Sequence, residues 1–243
     1  MIEPKWSIVV PNYNFGHYLG ECLDSVITQE YSNWELWVYD NASTDNSVEV
    51  VQEYMDKDPR IKLIVSPQNT GGPTHGINDV LLNYASGEFA FWLCSDDKLC
   101  PNYFKTILPY FTGPEIGFVR IGLLIFPEDP NLWPHEEKFF KPTPWVNMLH
   151  IFQQNKVFSS SPFRLSVFKE VRGIDDPAPY FDWDFWIKVV LAGYQWRTCP
   201  YPLAARREHA KNASKTDDLK GMAKELVEKY KNVLDKYDIE RVK

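Results

Sequence analysis

FAFWLCSDD, residues 89–97, decides how the chain is read. Phe89-Ala-Phe-Trp-Leu93 is a short apolar, aromatic run of the kind that forms a buried strand. It runs straight into Cys94, Ser95 and two adjacent carboxylates, Asp96 and Asp97. An apolar strand that ends on paired acids puts those acids where a sheet meets solvent. The question is whether the sequence on either side builds such a sheet and brings other polar groups to the same edge.

Toward the N-terminus it does. Trp6-Ser-Ile-Val-Val10 is a β-branched run stopped by Pro11. Leu19, Cys22, Leu23, Val26 and Ile27 then recur at helical spacing across residues 18–30. Glu35-Leu-Trp-Val-Tyr39 predicts a second strand, ending at Asp40, and Asn41–Asp45 has loop chemistry, with Ser43 or Thr44 suited to cap a helix over 47–55. Ile61–Val65 predicts a third strand, Asn69-Thr-Gly-Gly-Pro73 a turn, and residues 77–85 a third helix. Strand alternating with helix predicts an α/β fold: a Rossmann-like, mainly parallel sheet flanked by helices. Ligands bind such sheets beyond the carboxyl ends of the strands. Asn12, Asp40 and Asp96–Asp97 all follow predicted strands directly, so three strand ends converge on one rim.

Toward the C-terminus the pattern is less regular. Residues 117–126 predict a strand, and 127–145 an irregular stretch rich in Pro and aromatics. Residues 146–156 and 163–171 predict helices, the latter ending at Gly173. Residues 182–192 predict an amphipathic helix that opens on Phe181-Asp182-Trp183-Asp184. From residue 216 the chain is highly charged, with Leu219, Met222, Leu226, Tyr230 and Leu234 at roughly helical spacing. There is no internal repeat. The reading is one domain over 1–215, with halves at 1–110 and 111–215, and a charged C-terminal helical tail over 216–243.

Composition narrows the function. The 243 residues are 44% hydrophobic and 24% charged, an ordinary globular mix. A formal net charge of −7 argues against a general nucleic-acid binder. It leaves room for an anionic nucleotide screened by a cation or a local basic group. Cys22, Cys94, Cys100 and Cys199 form no CxxC pair and read as reduced thiols. The start, MIEPKWSIVVP, lacks the pattern of a secretory leader, and no window reaches the roughly 18 apolar residues of a membrane span. The expected location is cytoplasmic. There is no G-x-S-x-G, no G-x-x-x-x-G-K-[ST] and no dinucleotide fingerprint around Gly71-Gly72.

The candidate chemistry lies in four places. Asp96 and Asp97 suit a hard divalent cation, which takes one or two carboxylates plus phosphate oxygens. Asp40 can accept a hydrogen bond from a base N–H or a sugar hydroxyl. Asp182 or Asp184 can act as a general base toward a hydroxyl. Arg206, Arg207 and His209 can face a diphosphate or complete a metal site. Each also has a plain structural reading when taken alone: a solvated turn for the first two, an N-terminal helix cap for the third, a solvated basic surface for the last.

The ordered set SIVVPNYN (7–14), VYDNASTDNS (38–47), NTGGPTHGIN (69–78), ASGEFAFWLCSDD (85–97), FDWDFWIKVVLAGY (181–194) and RREHAKNAS (206–214) resembles the family 2 glycosyltransferases of the GT-A type. The resemblance covers most of residues 5–215 and favours the functional reading over the structural one at the acids. It implies a nucleotide-sugar-binding half (1–110) and an acceptor-binding half (111–215). Carried over by position, Pro11, Asn12, Tyr13, Asp40, Asn69, Asn78, Asp96 and Arg206 bind the nucleotide sugar, and usually a uracil base. Asp96, Asp97 and His209 hold Mn²⁺ or Mg²⁺. Asp182 stands at the position of the base, with Asp184 as its alternative. Two positions depart from the family pattern: Cys94 stands where an acid is usual, and Ile77 where a basic residue precedes Asn78.

The resemblance implies inverting transfer of a sugar from a nucleotide-sugar donor, a UDP-sugar by family habit, to a glycan or lipid-linked acceptor in the making of a cell-surface polysaccharide. The charged C-terminal helix leaves packing on the core, a homodimer, and peripheral association with the inner face of a membrane all open. Aromatics of the irregular stretch, Phe126, Trp133, Phe139, Phe140 and Trp145, suit either an acceptor platform or core packing. Two rival readings are a nucleotidyltransferase, which needs a glycine-rich basic signature that PNYNFGHY lacks, and a non-catalytic binding module on the same fold.

Overall fold

In the computed structural model, residues 3–128, 138–143, 146, 148–175, 180–210, 212 and 219–232 are described. The first half alternates β1 (Trp6–Asn12), α1 (Gly16–Ile27), β2 (Trp34–Asp40), α2 (Ser47–Met55), β3 (Ile61–Val65), α3 (Thr74–Asp79) and β4 (Phe89–Trp92). A π-helical turn, Val80–Tyr84, continues α3. These strands form a parallel block in the order β3-β2-β1-β4. Side chains alternate across a strand, so a strand covered on both sides must be apolar at every position. Ile8 and Val10 join one core cluster with Leu19, Leu23 and Val26 of α1, while Val9 joins a second cluster with Ile77 and Trp92. The uninterrupted apolar runs are thus the signature of a two-sided sheet.

The second half contains β5 (Lys98–Leu99), α4 (Tyr103–Ile107), β6 (Ile116–Pro127), β7 (Lys138–Phe140), α5 (Met148–Gln153), β8 (Phe163–Arg164), α6 (Leu165–Glu170), α7 (Phe181–Leu191), β9 (Gln195–Glu208) and α8 (Leu219–Lys229). One sheet runs through both halves in the order β3-β2-β1-β4-β8-β6-β9-β5, with β7 on β6. The α/β expectation is met. The sheet is parallel across the first block and between β6 and β9, and antiparallel at β8, β7 and β5.

Several elements differ from the sequence reading: β5 and α4 have no counterpart in it, and β7 lies within the stretch expected to be irregular. The segment expected to be helical from Phe163 first spends two residues as β8, because Phe163 pairs with both Ala90 and Phe118. The longest strand, β9, was not foreseen. Its Pro200 and Pro202 argue against a strand, and the structure accommodates them with register shifts against β6 around Gly122.

The aromatic stretch divides in the same way. Phe126 is buried, Phe139 and Phe140 of β7 are exposed, and Trp133 and Trp145 lie outside the described residues. Leu226 and Tyr230 pack α8 onto the second core cluster, so the described part of the tail docks on the domain. Among the described residues no helix is long and apolar enough to cross a membrane.

Candidate active site

The site is built from strand ends. β1 and β2 finish side by side, with Asn12 in register with Asp40. Asp40 is buried, and its carboxylate accepts from Asn12 Nδ2 at 2.9 Å and from the Ser43 amide at 2.8 Å. Asn14, at φ +56, uses its side-chain oxygen to accept the Thr44 N–H at 2.7 Å. The two loops are therefore clamped together by polar groups that the strands deliver. Asn41 extends the clamp, its oxygen accepting from the Thr70 amide at 3.0 Å. Asn69 turns inward on its own loop and accepts the Gly71 N–H at 2.7 Å. Tyr13 is exposed on the rim beside them.

At the next strand end, β9 supplies what β4 lacks. β5 pairs with Ala204 and Ala205 of β9, and this places residues 206–209 alongside Asp96 and Asp97. Asp96 Oδ2 lies 2.8 Å from His209 Nε2. Asp97 Oδ1 accepts the Arg207 backbone N–H at 3.0 Å, and Arg207 Nε donates to the Asp96 carbonyl at 3.1 Å. Arg207 also pairs with Glu21 at 3.1 Å and lies over the rings of Tyr18 and Phe126. His209 is held from behind, its backbone N–H donating to Asn212 Oδ1 at 2.7 Å. Burial, then the neighbouring Asp96, pushes the Asp97 carboxyl well above the usual carboxylate range, and the Arg206 and Arg207 charges oppose this. Tyr18, bonded to Glu128, is pushed up to about 12, chiefly by burial.

The third contribution comes from the first turn of α7. Asp182 is half-buried. Its Oδ2 accepts from Asn155 Nδ2 at 3.1 Å and Ser159 Oγ at 3.3 Å, and its Oδ1 from the Trp183 amide at 2.8 Å. Burial raises its carboxyl above the ordinary value, and those three donors hold it back. The Cys94 thiol is driven up by burial and then by Asp97, Asp96 and Asp182, so the acids after β4 and the acid of α7 act on one sulfur. Asp184 belongs elsewhere. It is fully buried, and its Oδ1 accepts from Lys229 Nζ and Tyr230 Oη, both at 2.7 Å.

A Glycosyl transferase family 2 model matches residues 7–172. The chain belongs to glycosyltransferase family 2. Over 113 residues the family 2 chain is 42% identical to the UDP-Glc:alpha-D-GlcNAc-diphosphoundecaprenol beta-1,3-glucosyltransferase WfgD of Escherichia coli, covering 46% of this chain and 43% of that protein. The matches to the first curated relatives span between 15% and 43% of those proteins' lengths. Among solved structures, residues 1–349 of S. aureus TarS in complex with UDP-GlcNAc superpose with a TM-score of 0.72 at 20% identity, over 88% of this chain and 62% of that one. The mannosyltransferase PcManGT of Pyrobaculum calidifontis, in complex with GDP-Man and Mn²⁺, superposes with a TM-score of 0.70 at 20% identity, over 87% of this chain and 59% of that one. These structural likenesses establish the GT-A fold.

The family match stops before α7 and β9, so Asp182, Arg206 and His209 are placed by geometry alone. Of the residues singled out in the sequence, Asn12 and Asp40 meet at one strand pair, and Asp96, Asp97 and His209 at the next, with the Arg206 charge acting on Asp97. Asn78 is committed to architecture: its amide donates to the Ile174 carbonyl at 2.8 Å and accepts the Ile174 N–H at 2.9 Å. Sequence reasoning missed Glu21, Asn155 and Ser159. None sits in a motif, and only the fold brings them to the acids.

Proposed function

We propose that this chain transfers a sugar from a nucleotide-sugar donor, a UDP-sugar first among them, to a glycan or lipid-linked acceptor in cell-surface polysaccharide synthesis, with inversion at the anomeric carbon. The observation that carries the reading is the meeting of Asp96, Asp97, His209 and the Arg206–Arg207 pair after β4, with the first turn of α7, which carries Asp182, packed on the last residue of β4 through Phe181 and Trp92 at 5.9 Å. Asp40 and Asn12, beside Pro11 and the exposed Tyr13, form the base-binding end, with the Asn69 loop closing it. In this reading Asp96 also meets the ribose.

The residues present fit a divalent cation. Ligand atoms of Cys94, Asp96 and Asp97 lie within 4.8 Å of one another, so two carboxylates and a thiol face one small volume. Asp96, Asp97 and His209 would hold Mn²⁺ or Mg²⁺, which supplies positive charge to the diphosphate leaving group. Arg206 and Arg207 add fixed positive charge beside it. Asp182 accepts the proton of the acceptor hydroxyl, whose oxygen then attacks from the face opposite the diphosphate. Asp182 is the base in preference to Asp184, because Asp184 is enclosed by Lys229 and Tyr230.

A panel of nucleotide sugars screened by thermal shift, with and without Mn²⁺, tests this, because a ligand that binds the native state raises its melting temperature. One donor class should stabilise the protein only with the metal present, and Asp97→Asn should abolish that dependence. Stabilisation by no nucleotide sugar, or equal stabilisation without metal in both proteins, contradicts the reading.

A further inference from the structure

Asp182 is the acid whose surroundings the sequence predicts least. Both donors on its Oδ2 come from the short stretch between α5 and β8, which carries no motif. Asn155 is fixed at both ends of its amide: Nδ2 reaches Asp182 at 3.1 Å and Oδ1 accepts the Val157 N–H at 3.2 Å. The amide orientation is thus set by its partners, and Asn155 presents a donor to the carboxylate. Ser159 adds a second donor at 3.3 Å.

The turn is itself tied to the sheet. Arg120, on β6 and 1% exposed, donates from Nε to the Lys156 carbonyl at 2.9 Å and from Nη1 to the Thr143 carbonyl at 3.1 Å. Burying a guanidinium is costly unless its donors are hydrogen-bonded, as these are. Here it fixes the residue next to Asn155. On the other side, Trp183 Nε1 donates to the Ile151 carbonyl and locks the first turn of α7 to α5.

We propose that Asn155 and Ser159 are positioning residues for the transfer reaction: they hold Asp182 by one oxygen in its charged form, and Arg120 fixes the turn that carries them. This rests on the reading of Asp182 as the base. A carboxylate that accepts two side-chain donors on one oxygen is restricted in rotation. Its other oxygen, which among the described residues accepts the in-helix Trp183 amide, has lone-pair capacity left for an acceptor hydroxyl. The same donors favour the ionised carboxylate, the form a general base must have.

Among the described residues, the titratable groups on the elements that adjoin Asp182 are Cys94 after β4, on which its charge acts, Asp184 two residues along its own helix with Lys229 and Tyr230 against it, His150 on α5, which packs on α7, and Lys156 on the turn. Substitution at 155 leaves all of these in place.

The test is the pH dependence of kcat/KM in the full chain, with donor affinity measured alongside. Asn155→Ala removes one donor to the charged form and should move the acid limb of the profile upward by about one pH unit. Ser159→Ala should move it in the same direction by less, and donor affinity should hold in both. Asn155→Asp places a second carboxylate on Asp182 and should move the limb further up than Asn155→Ala. Ser159→Ala and Asn155→Asp keep the test open if Asn155→Ala fails to fold. If Asp182→Asn is inactive but the folded Asn155 and Ser159 variants keep the wild-type limb, the positioning role is overturned and the base stands. An active Asp182→Asn enzyme overturns the base reading and this proposal with it.

Discussion

Lys229→Met removes the ammonium that lies 2.7 Å from Asp184 and 2.7 Å from Asp175. The two carboxylates are unequal: Asp184 is 0% exposed and Asp175 is 52% exposed at the side chain. Water replaces the lost partner at Asp175, where a surface pair contributes at most about 1 kcal/mol. At Asp184 water cannot, and only the Tyr230 hydroxyl remains, with Oδ2 already without a partner among the described residues. Stranding a buried charge costs about 3–5 kcal/mol. Because Lys229 is itself 41% exposed, part of its attraction is already screened, and we expect about 2–3 kcal/mol. With a urea slope near 3 kcal/mol/M, the midpoint of unfolding should fall by about 1 M. Asp175→Asn should cost under about 0.5 kcal/mol. The double variant Lys229→Met/Asp184→Asn, which strands no charge, should cost less than the sum of its parts by about 1 kcal/mol or more. If Lys229→Met costs under about 0.5 kcal/mol, or the two substitutions add, α8 does not hold α7 through Asp184.

Glu35 provides a pH test. Burial alone would raise its carboxyl, but the Ser86 amide, Lys5, Ser7 and the Ser86 hydroxyl outweigh it and bring it down to about 2. A depressed folded value gives stability that is present above the ordinary 4.5 and is lost as pH falls toward 2. Glu35→Gln should therefore cost about 2 kcal/mol in urea unfolding near pH 6, discounted for the exposed lysines, and much less near pH 3. Gly76→Ala tests the floor under the proposed base-binding end, since a Cβ there would lie 2.3 Å from Cδ1 of the buried Tyr39 ring. Overpacking of about 1–3 kcal/mol outweighs the helix gain of about 1 kcal/mol. A net loss of up to about 2 kcal/mol by urea unfolding, together with weaker donor binding beside Asp40, is the expected result.

The parallel block was readable because its physics is local. α2 and β3 appear at the residues expected, Ser47–Met55 and Ile61–Val65, since apolar runs alternating with amphipathic spacing permit little else. Asn12 and Asp40 are the last residues of β1 and β2, and Asp96 lies four residues beyond β4, so all three could be placed from pattern. β9 could not be read, because Pro200 and Pro202 disguise a strand whose length is set by pairing with β6. With β9 hidden, the path bringing His209 and Arg207 to Asp96 and Asp97 was invisible, and only family resemblance suggested it. The choice between Asp182 and Asp184 was equally undecidable from sequence. Two residues apart on one helix turn they look alike, and their roles separate only when Asn155 and Ser159 meet the first while Lys229 and Tyr230 enclose the second.

Turnover and donor affinity of Asp182→Asn, measured with the donor that the thermal-shift panel selects, bear most directly on the mechanism. Amide for carboxylate keeps the shape and removes the proton acceptor. The account predicts a fall of at least ~10²-fold in turnover with donor affinity preserved. Full turnover in that variant, paired with an inactive Asp184→Asn enzyme that still folds, would show that the proton leaves by the other carboxylate.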